Sequence, residues 1–387
     1  MERKLLMIPG PITFDPEVLR AQARPSLAHT EAEFGGIMGR ALRNMRPVFM
    51  CKQGQPFILA GSGTLAMEFV IANFVEAGER VVVVDTGWFA QRFGDIAKRY
   101  TDQIEIVTAD VGTVPPLEKV EAALKAAPTK LLTITHVDTS TGVSAPVKEL
   151  AALARRHGAM SAVDGICSLA ACEFRMDDWG VDVCLTGSQK AIGVPVGLGL
   201  IMVSQDGMAR FGQRKTPVHN YYCDINNWLP IMQAYGQDKT AYFATPAVNL
   251  TYALDVSLQQ ILAEGMEARF ARHECLAGAF RAAMAALGIQ LIAKKGVQAA
   301  TISAMYFPEG VDNTLPAKVA AEGVTVAGGV YPGLQTKYFR VGHLGTCQPS
   351  DILATVGAIE RALAKSGAGV DLGAGVAAAS KALAKCA

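Results

Sequence analysis

The sequence predicts an α/β protein in which a mostly parallel sheet carries helices on both faces and a smaller α/β unit follows. Three observations carry this. From Phe57 onward, short apolar runs alternate with stretches of helical length and period, the pattern of a parallel sheet whose connections cross back over its faces. The runs are rich in Val, Ile and Leu with little polar alternation, as strands buried on both sides are. With 387 residues, 50% hydrophobic and 18% charged, the chain is long enough for two domains and apolar enough for a large core.

The formal net charge is +1, spread evenly, which leaves no basic face for nucleic acid and no acidic tail. A small-molecule partner is expected. The start, MERKLLMIPGP, has only Leu5 to Ile8 apolar before Pro-Gly-Pro, too short for a signal-peptide core. No window approaches the roughly 18 apolar residues that span a bilayer, so the cytoplasm is the expected location. Eight cysteines form no CxxC pair and six histidines are scattered, so no metal is expected and most cysteines read as buried reduced thiols.

Taken in order, Pro9-Gly10-Pro11 cannot be helical and reads as an arm or as the wall of a site. Asp15-Pro16-Glu17 reads as a helix start with proline at the first position. FILA (57–60), the turn GSG, a helix ending at Gly78 and RVVVVD (80–85) make a strand, glycine turn, helix, strand unit. Such a unit aims free backbone N–H groups and the positive helix end at whatever lies over Ser62, Gly63 and Thr64, which suits a phosphate; a plain turn using glycine for its shape gives the same pattern. Gly61 to Ala66 also matches G-x-G-x-x-A, with Asp85 about 20 residues on, where a dinucleotide-binding acid would sit.

The pattern then repeats. Helix 88–100, strand IEIVT (104–108), helix 116–127, strand KLLTITH (130–136), a polar turn at 138–142, helix 146–157 and strand AMSAVD (159–164) follow. VDVCL (181–185) and GLGLIMV (197–203) are two more buried strands, and between them lies Lys190. Ligands of such sheets bind beyond the carboxyl ends of the strands, which makes Gly63, Thr64, Trp88, Thr139, Asp164 and Lys190 candidates. Lys190 is either a surface lysine in a turn or an amine desolvated by small apolar neighbours and able to attack a carbonyl. Asp164, closing an apolar strand, is either a loop cap or the partner of a cationic ligand group.

Residues 214–246 read as a loop region bearing tyrosines, suited to packing on a second subunit. Helical patterns at 248–262 and 265–287 open the smaller unit, with strands expected at 289–293 and 299–307, a helix at 313–323, a strand and turn at 336–345 and a helix at 349–364. The Gly/Ala-rich remainder reads as a loosely packed helix or a frayed tail. Strand alternation puts Arg340 on the face opposite Phe339 and Val341, where a guanidinium could grip a carboxylate with two hydrogen bonds. The expected divisions are an arm, 1–19, packing with the small domain, a large domain, 20–250, and a small domain, 251–387.

One cofactor unites these residues: pyridoxal phosphate needs a lysine for its aldehyde, an acid for its ring nitrogen, a face to stack on and donors for its phosphate. At this point the chain resembles the class-V aminotransferases of pyridoxal phosphate fold type I, the alanine–glyoxylate and serine–pyruvate (or serine–glyoxylate) family. PGP at 9–11, GSGTLAME at 61–68, TGWFAQR at 86–92, THVDTSTG at 135–142, AVDGICS at 162–168, GSQKAIGVPVGLGL at 187–200, YFATP at 242–246 and RVGHLG at 340–345 carry the resemblance. It implies that Lys190 holds the cofactor aldehyde and moves the proton, that Asp164 bonds the ring nitrogen and that Trp88 stacks on the ring. It implies further that Ser62, Gly63, Thr64 and Gln189 hold the phosphate, with Tyr242 and Thr245 reaching it from the other subunit of a homodimer, and that Thr139 lies near the ring oxygen or the phosphate. Arg340, helped by the Gly10 backbone, would bind the substrate carboxylate. Thr64 and Thr139 stand where relatives have histidine and serine. The implied activity moves the amino group of alanine or serine to glyoxylate or pyruvate. The rivals are a cysteine desulfurase-like lyase, whose reactive thiol would have to be Cys347 and which usually has histidine where Gln189 stands, and an NAD-dependent oxidoreductase using the GSGTLA turn.

Overall fold

The computed structural model describes residues 4–386; the first three residues of the expected arm and Ala387 lie outside them. Seven strands form the main sheet in the order Gln55–Ala60, Leu198–Val203, Val183–Gly187, Met160–Asp164, Leu131–Thr135, Val81–Val84, Ile104–Val107. All pairings are parallel except those of Leu198–Val203, which runs antiparallel to both neighbours. The reason is the connection: residues 188–197 are too few for the crossover of a dozen or more that a parallel neighbour requires. Lys190 sits in that short connection. The strands from Val81, Leu131 and Met160 are buried throughout, and helices such as Gly63–Phe74 and Val147–Arg156 cover the sheet with Val70, Ile71, Leu150 and Ala154 buried in the larger core.

A second core gathers Leu276, Phe280, Met305, Phe339, Val341, Ile352 and Ile359. It lies between the helices Met266–Ala286 and Pro349–Lys365 and a three-stranded antiparallel sheet ordered Ile302–Tyr306, Tyr338–Gly342, Ala327–Gly328. The N-terminal segment belongs to this side: Leu5–Leu6 pairs parallel with Val324–Thr325 and Met7 is buried in the second core. Gly342 N–H donates to Met7 C=O at 2.8 Å. A side chain at Gly342 would collide with the Ile8 carbonyl, so glycine there lets the arm cross the strand.

Several expectations change. Residues 289–293 are not a strand. They run beside Ile302–Tyr306 with two hydrogen bonds, Ile292 N–H to Ala304 C=O (2.8 Å) and Tyr306 N–H to Gln290 C=O (2.9 Å), before Lys294 N–H turns away to Gly112 C=O (2.9 Å). The region 214–246 contains the helix Ile225–Gly236, capped by Asp224 Oδ1 accepting from Asn226 N–H at 2.8 Å. Its Pro230 had masked the pattern. The helix Ala32–Val48, glycine-rich at its start and carrying Pro47 at its end, was also not expected. The helix from Gly63 stops at Phe74 rather than Gly78. The tail holds an anchored helix, Ala374–Leu383. The Glu360 carboxylate accepts from Gly373 N–H (3.0 Å), Gly375 N–H (2.7 Å) and Val376 N–H (3.2 Å), and Cys386 is disulfide-bonded to Cys275. The other six cysteines are buried free thiols.

Candidate active site

At the carboxyl ends of the parallel strands lies a cavity of about 420 Å³, closed by Ile8 to Gly10 of the arm and by Ala327, Val330 and Arg340 of the smaller unit. Ser62, Gly63, Thr64, Thr139, Asp164, Gln189, Lys190, Arg340 and Gly10 all line it.

Lys190 is held by its own turn. Gly193 N–H donates to Lys190 C=O at 2.9 Å, Val194 N–H to Ser188 C=O at 2.9 Å, and Ser188 Oγ donates to Pro195 C=O at 2.8 Å. The amine is buried, and this desolvation pushes its pKa down, with Arg340 acting the same way and Cys167, Asp164 and Asp138 opposing. Nζ donates to the Pro9 carbonyl and lies 3.5 Å from Thr139 Oγ1. Gly10, at φ +130°, packs against the lysine stem, and any side chain there would strike its Cδ and Cε. Asp164 ends its strand with Oδ1 accepting from Ile166 N–H at 2.9 Å. Burial raises this carboxyl to about 7; Asp138 adds to the rise, while Ile166 N–H, Lys190 and Arg92 act against it.

Ser62 opens the helix Gly63–Phe74 but makes no side-chain cap bond, so the N–H groups of the first turn have no partner inside the helix. A side chain at Gly63 would run into Ile166. Beside this cradle the buried Gln189 Oε1 has no hydrogen-bond partner among the described residues; a half-turn of the amide exchanges its oxygen and nitrogen and would present the NH2 donors to a bound anion. Arg340 Nε donates to Gly328 C=O (2.8 Å) and Nη1 to Thr139 C=O (3.2 Å). Its neighbours Phe339 and Val341 turn into the second core, as strand alternation requires.

The aromatic residue that faces the cavity is not the expected one. Trp88 is absent from the cavity walls, and Phe89 is part of them. The cause is the cap of the helix Trp88–Ala97: Asp138 Oδ2 accepts from Phe89 N–H (3.0 Å) and Ala90 N–H (3.1 Å), and Ser140 Oγ accepts from Trp88 N–H (3.0 Å). Ser140 Oγ also donates to Asp138 Oδ1 at 2.5 Å. This fixed start turns residue 89, not 88, inward. Asp138 and Arg92 were likewise missed; for the first, the available signal was a carboxylate at the head of the polar turn 138–142 that follows a buried strand. Tyr242 and Thr245 are exposed and do not line this chain's cavity.

The rival sites do not form. Asp85 accepts from Gly87 N–H (3.0 Å) and Gln91 Nε2 (3.1 Å) and does not reach the GSGTLA cavity. Cys347 is buried, outside this cavity, and its thiol is pushed up to about 12 by burial, the opposite of a reactive thiolate.

The family model "Aminotransferase class-V" matches residues 17–341. Alanine–glyoxylate aminotransferase 1 of Saccharomyces cerevisiae is 38% identical over 88% of this chain and 91% of its own length. L-aspartate–glyoxylate aminotransferase of Paracoccus denitrificans is 33% identical over 97% and 94%. The crystal structure of ureidoglycine–glyoxylate aminotransferase from Bacillus subtilis superposes with a TM-score of 0.91 at 26% identity, covering 100% of this chain and 99% of that one. The chain belongs to the class-V aminotransferases, with the pyridoxal phosphate fold type I and pyridoxal phosphate as cofactor. The cavity fits that group: a desolvated lysine, a buried carboxylate with one oxygen uncommitted, an aromatic wall, a helix start with free N–H groups and the Gln189 amide meet in one space.

Proposed function

We propose that this aminotransferase moves the amino group of a small neutral L-amino acid, alanine or serine, to glyoxylate. The convergence of Lys190, Asp164 and Arg340 on one cavity under Gly10 carries the reading. Bound pyridoxal phosphate supplies an electron sink and a carrier for the amino group between two half-reactions. Asp164 holds a proton on the ring nitrogen. Lys190 takes the substrate Cα proton, a task suited to an amine whose pKa burial has lowered. Arg340 anchors the substrate carboxylate, and Ile8 to Gly10 shield Lys190 from water. The first turn at Ser62, Gly63 and Thr64, with Gln189, holds the phosphate, Thr139 sits between Lys190 and Arg340, and Phe89 takes the platform role expected of Trp88. The small-donor reading rests on the apolar Ile8, Ala327 and Val330 that close the cavity; the acceptor reading rests on the three similar enzymes, whose names all carry glyoxylate; pyruvate is the alternative acceptor.

The working unit is a homodimer in which the partner's Tyr242 and Thr245 complete the phosphate site. The exposure of Tyr242 (62%) and of the nearby Tyr221 (78%) supports a covered face. The organisation proposed is an arm, 1–19, a large domain, 20–250, and a small domain, 251–387; the helix Val248–Glu264 spans the second boundary, and its buried residues through Ile261 pack on the larger core, which favours a boundary after that helix. No described helix is long and apolar enough to cross a membrane; the six free cysteines support a cytoplasmic setting, and the Cys275–Cys386 disulfide is the observation against it.

The deciding experiment is a visible spectrum with product analysis. The purified protein shows the absorption band of lysine-bound pyridoxal phosphate, Lys190→Ala abolishes it, and L-alanine or L-serine with glyoxylate yields glycine in ping-pong kinetics. A colourless protein, or one that keeps the band in Lys190→Ala, overturns the assignment. Faster turnover of L-aspartate than of L-alanine overturns the donor class alone.

A further inference from the structure

The strand Tyr338–Gly342 brings a second side chain to the face that carries Arg340. Residues two apart on a strand point the same way, and Tyr338 and Arg340 reach the same two segments. Arg340 Nε donates to Gly328 C=O at 2.8 Å and Nη1 to Thr139 C=O at 3.2 Å. The Tyr338 hydroxyl accepts from Val330 N–H and Tyr331 N–H, each at 2.9 Å, and donates to Ser140 C=O at 2.8 Å. A phenol has one proton and two lone pairs, so this hydroxyl is fully used. Its ring is buried against Ile292 and Ala304, and a side chain at Gly329 would strike Cε1, so the loop backbone runs close against the ring. The loop is thereby tied both to a strand of the smaller unit and to the polar turn 138–142. Its Val330 is a wall of the cavity, whereas Tyr338 is not.

We infer that Tyr338 is a positioning residue that sets the size of the amino donor: its hydroxyl clasps the loop 329–331 onto the turn 138–142 and so fixes Val330 as the wall that limits the donor side chain. The inference rests on the small-donor reading of the cavity. Past Ala327–Gly328 the chain leaves the three-stranded sheet, and no ladder holds the residues that follow. The phenol supplies the missing acceptor. Among the described residues Val330 N–H and Tyr331 N–H have no other one. Without that oxygen both groups are satisfied only if the loop swings out to water, which carries Val330 away from the cavity. The other end of the clasp is less sensitive. The Ser140 side chain keeps Asp138 and Trp88 N–H as partners, so the helix start that presents Phe89 stays fixed. The effect falls on the end of the cavity that takes the amino donor and spares the end that takes the cofactor.

The first measurement is hydrogen exchange on the wild-type holoenzyme. The Val330 and Tyr331 amides exchange at least about a hundredfold more slowly than an unstructured chain; free-loop rates at both overturn the clasp. The second is steady-state kinetics of Tyr338→Phe, which keeps the ring and removes one oxygen, beside Val330→Ala, which enlarges the cavity at the wall itself. In Tyr338→Phe, kcat/KM for L-alanine falls about tenfold. The fall is carried by KM with kcat little changed, and L-2-aminobutyrate gains on L-alanine as it does in Val330→Ala. The Lys190-dependent absorption band and the affinity for pyridoxal phosphate stay at their wild-type values. A tyrosine that serves stability alone would lower the melting temperature and leave the ratio of the two amino donors unchanged, and that outcome overturns the inference. So does a loss of cofactor affinity in place of the changed ratio, or an unchanged ratio in Val330→Ala, since Val330 is then not the limiting wall. If Tyr338→Phe does not fold, the exchange rates decide. A wild type that turns over L-aspartate faster than L-alanine defeats the small-donor reading instead and leaves the exchange rates to judge the clasp, so the two failures are distinct.

Discussion

Asp164 is destabilised by the burial that makes it useful. Its carboxyl titrates near 7 in the folded apoprotein against about 3.9 in an unfolded chain. Between those values the folded state binds a proton that the unfolded state has lost, so stability falls as pH rises through this window, and the cost is fully present above it. Asp164→Asn removes the charge and keeps an oxygen for Ile166 N–H. The apo variant should therefore unfold roughly 2–4 °C above wild type at pH 8, the gap closing toward pH 4, while its cofactor affinity and turnover fall. Equal midpoints at pH 8 in calorimetry would exclude the burial cost. Lys190, Asp164 and Arg340 were legible in sequence because each is a charge interrupting or ending an apolar run, which has few inexpensive explanations. Phe89 was not, because Trp88 and Phe89 are adjacent aromatics and only the phase of the helix start decides which faces in. Arg92 was hidden in the same helical turn.

That phase is set by Asp138, a buried side chain from a different segment. Its carboxylate accepts from Phe89, Ala90 and Ser140 N–H and from Ser140 Oγ. Asp138→Ala leaves these donors buried without a partner, at a cost of about 1–3 kcal/mol, and frees the first turn that presents Phe89. The expected outcome is a lower apo melting temperature together with weaker cofactor binding, whereas Trp88→Phe changes binding little. If Asp138→Ala lowers stability without touching binding, the cap does not govern the platform. Caps also decided which helices could be read in advance. Asp15 announces Pro16–Gln22, and its side chain does accept from Glu17 N–H at 2.7 Å. Ala32–Val48 starts at Glu31 without a side-chain cap, and its glycines and Pro47 hide a helix that tertiary burial of Phe34, Met38, Leu42 and Met45 sustains against weak propensity.

On the scale of the molecule, the alternation of strands and helices was legible, whereas the order of strands was not, since it depends on crossovers that single-strand patterns do not encode. The proposed homodimer is where the next measurement belongs. Tyr242 packs on His29, with ring centroids 5.1 Å apart, yet remains 62% exposed, and Thr245 is exposed beside it. In a homodimer with shared sites, a subunit carrying Tyr242→Ala and Thr245→Ala spoils its neighbour's phosphate site and leaves its own lysine intact. A Lys190→Ala subunit has the converse defect. Each parent alone should show little turnover, and refolding the two together should create hybrids in which one site has an intact Lys190 and an intact pair from the other chain. Activity that neither parent shows is the expected outcome, rising with the fraction of hybrid. Sedimentation must show two-copy particles throughout. If the mixture never exceeds the sum of its parents while hybrids form, Tyr242 and Thr245 do not act across the interface, and the phosphate site is built from one chain alone.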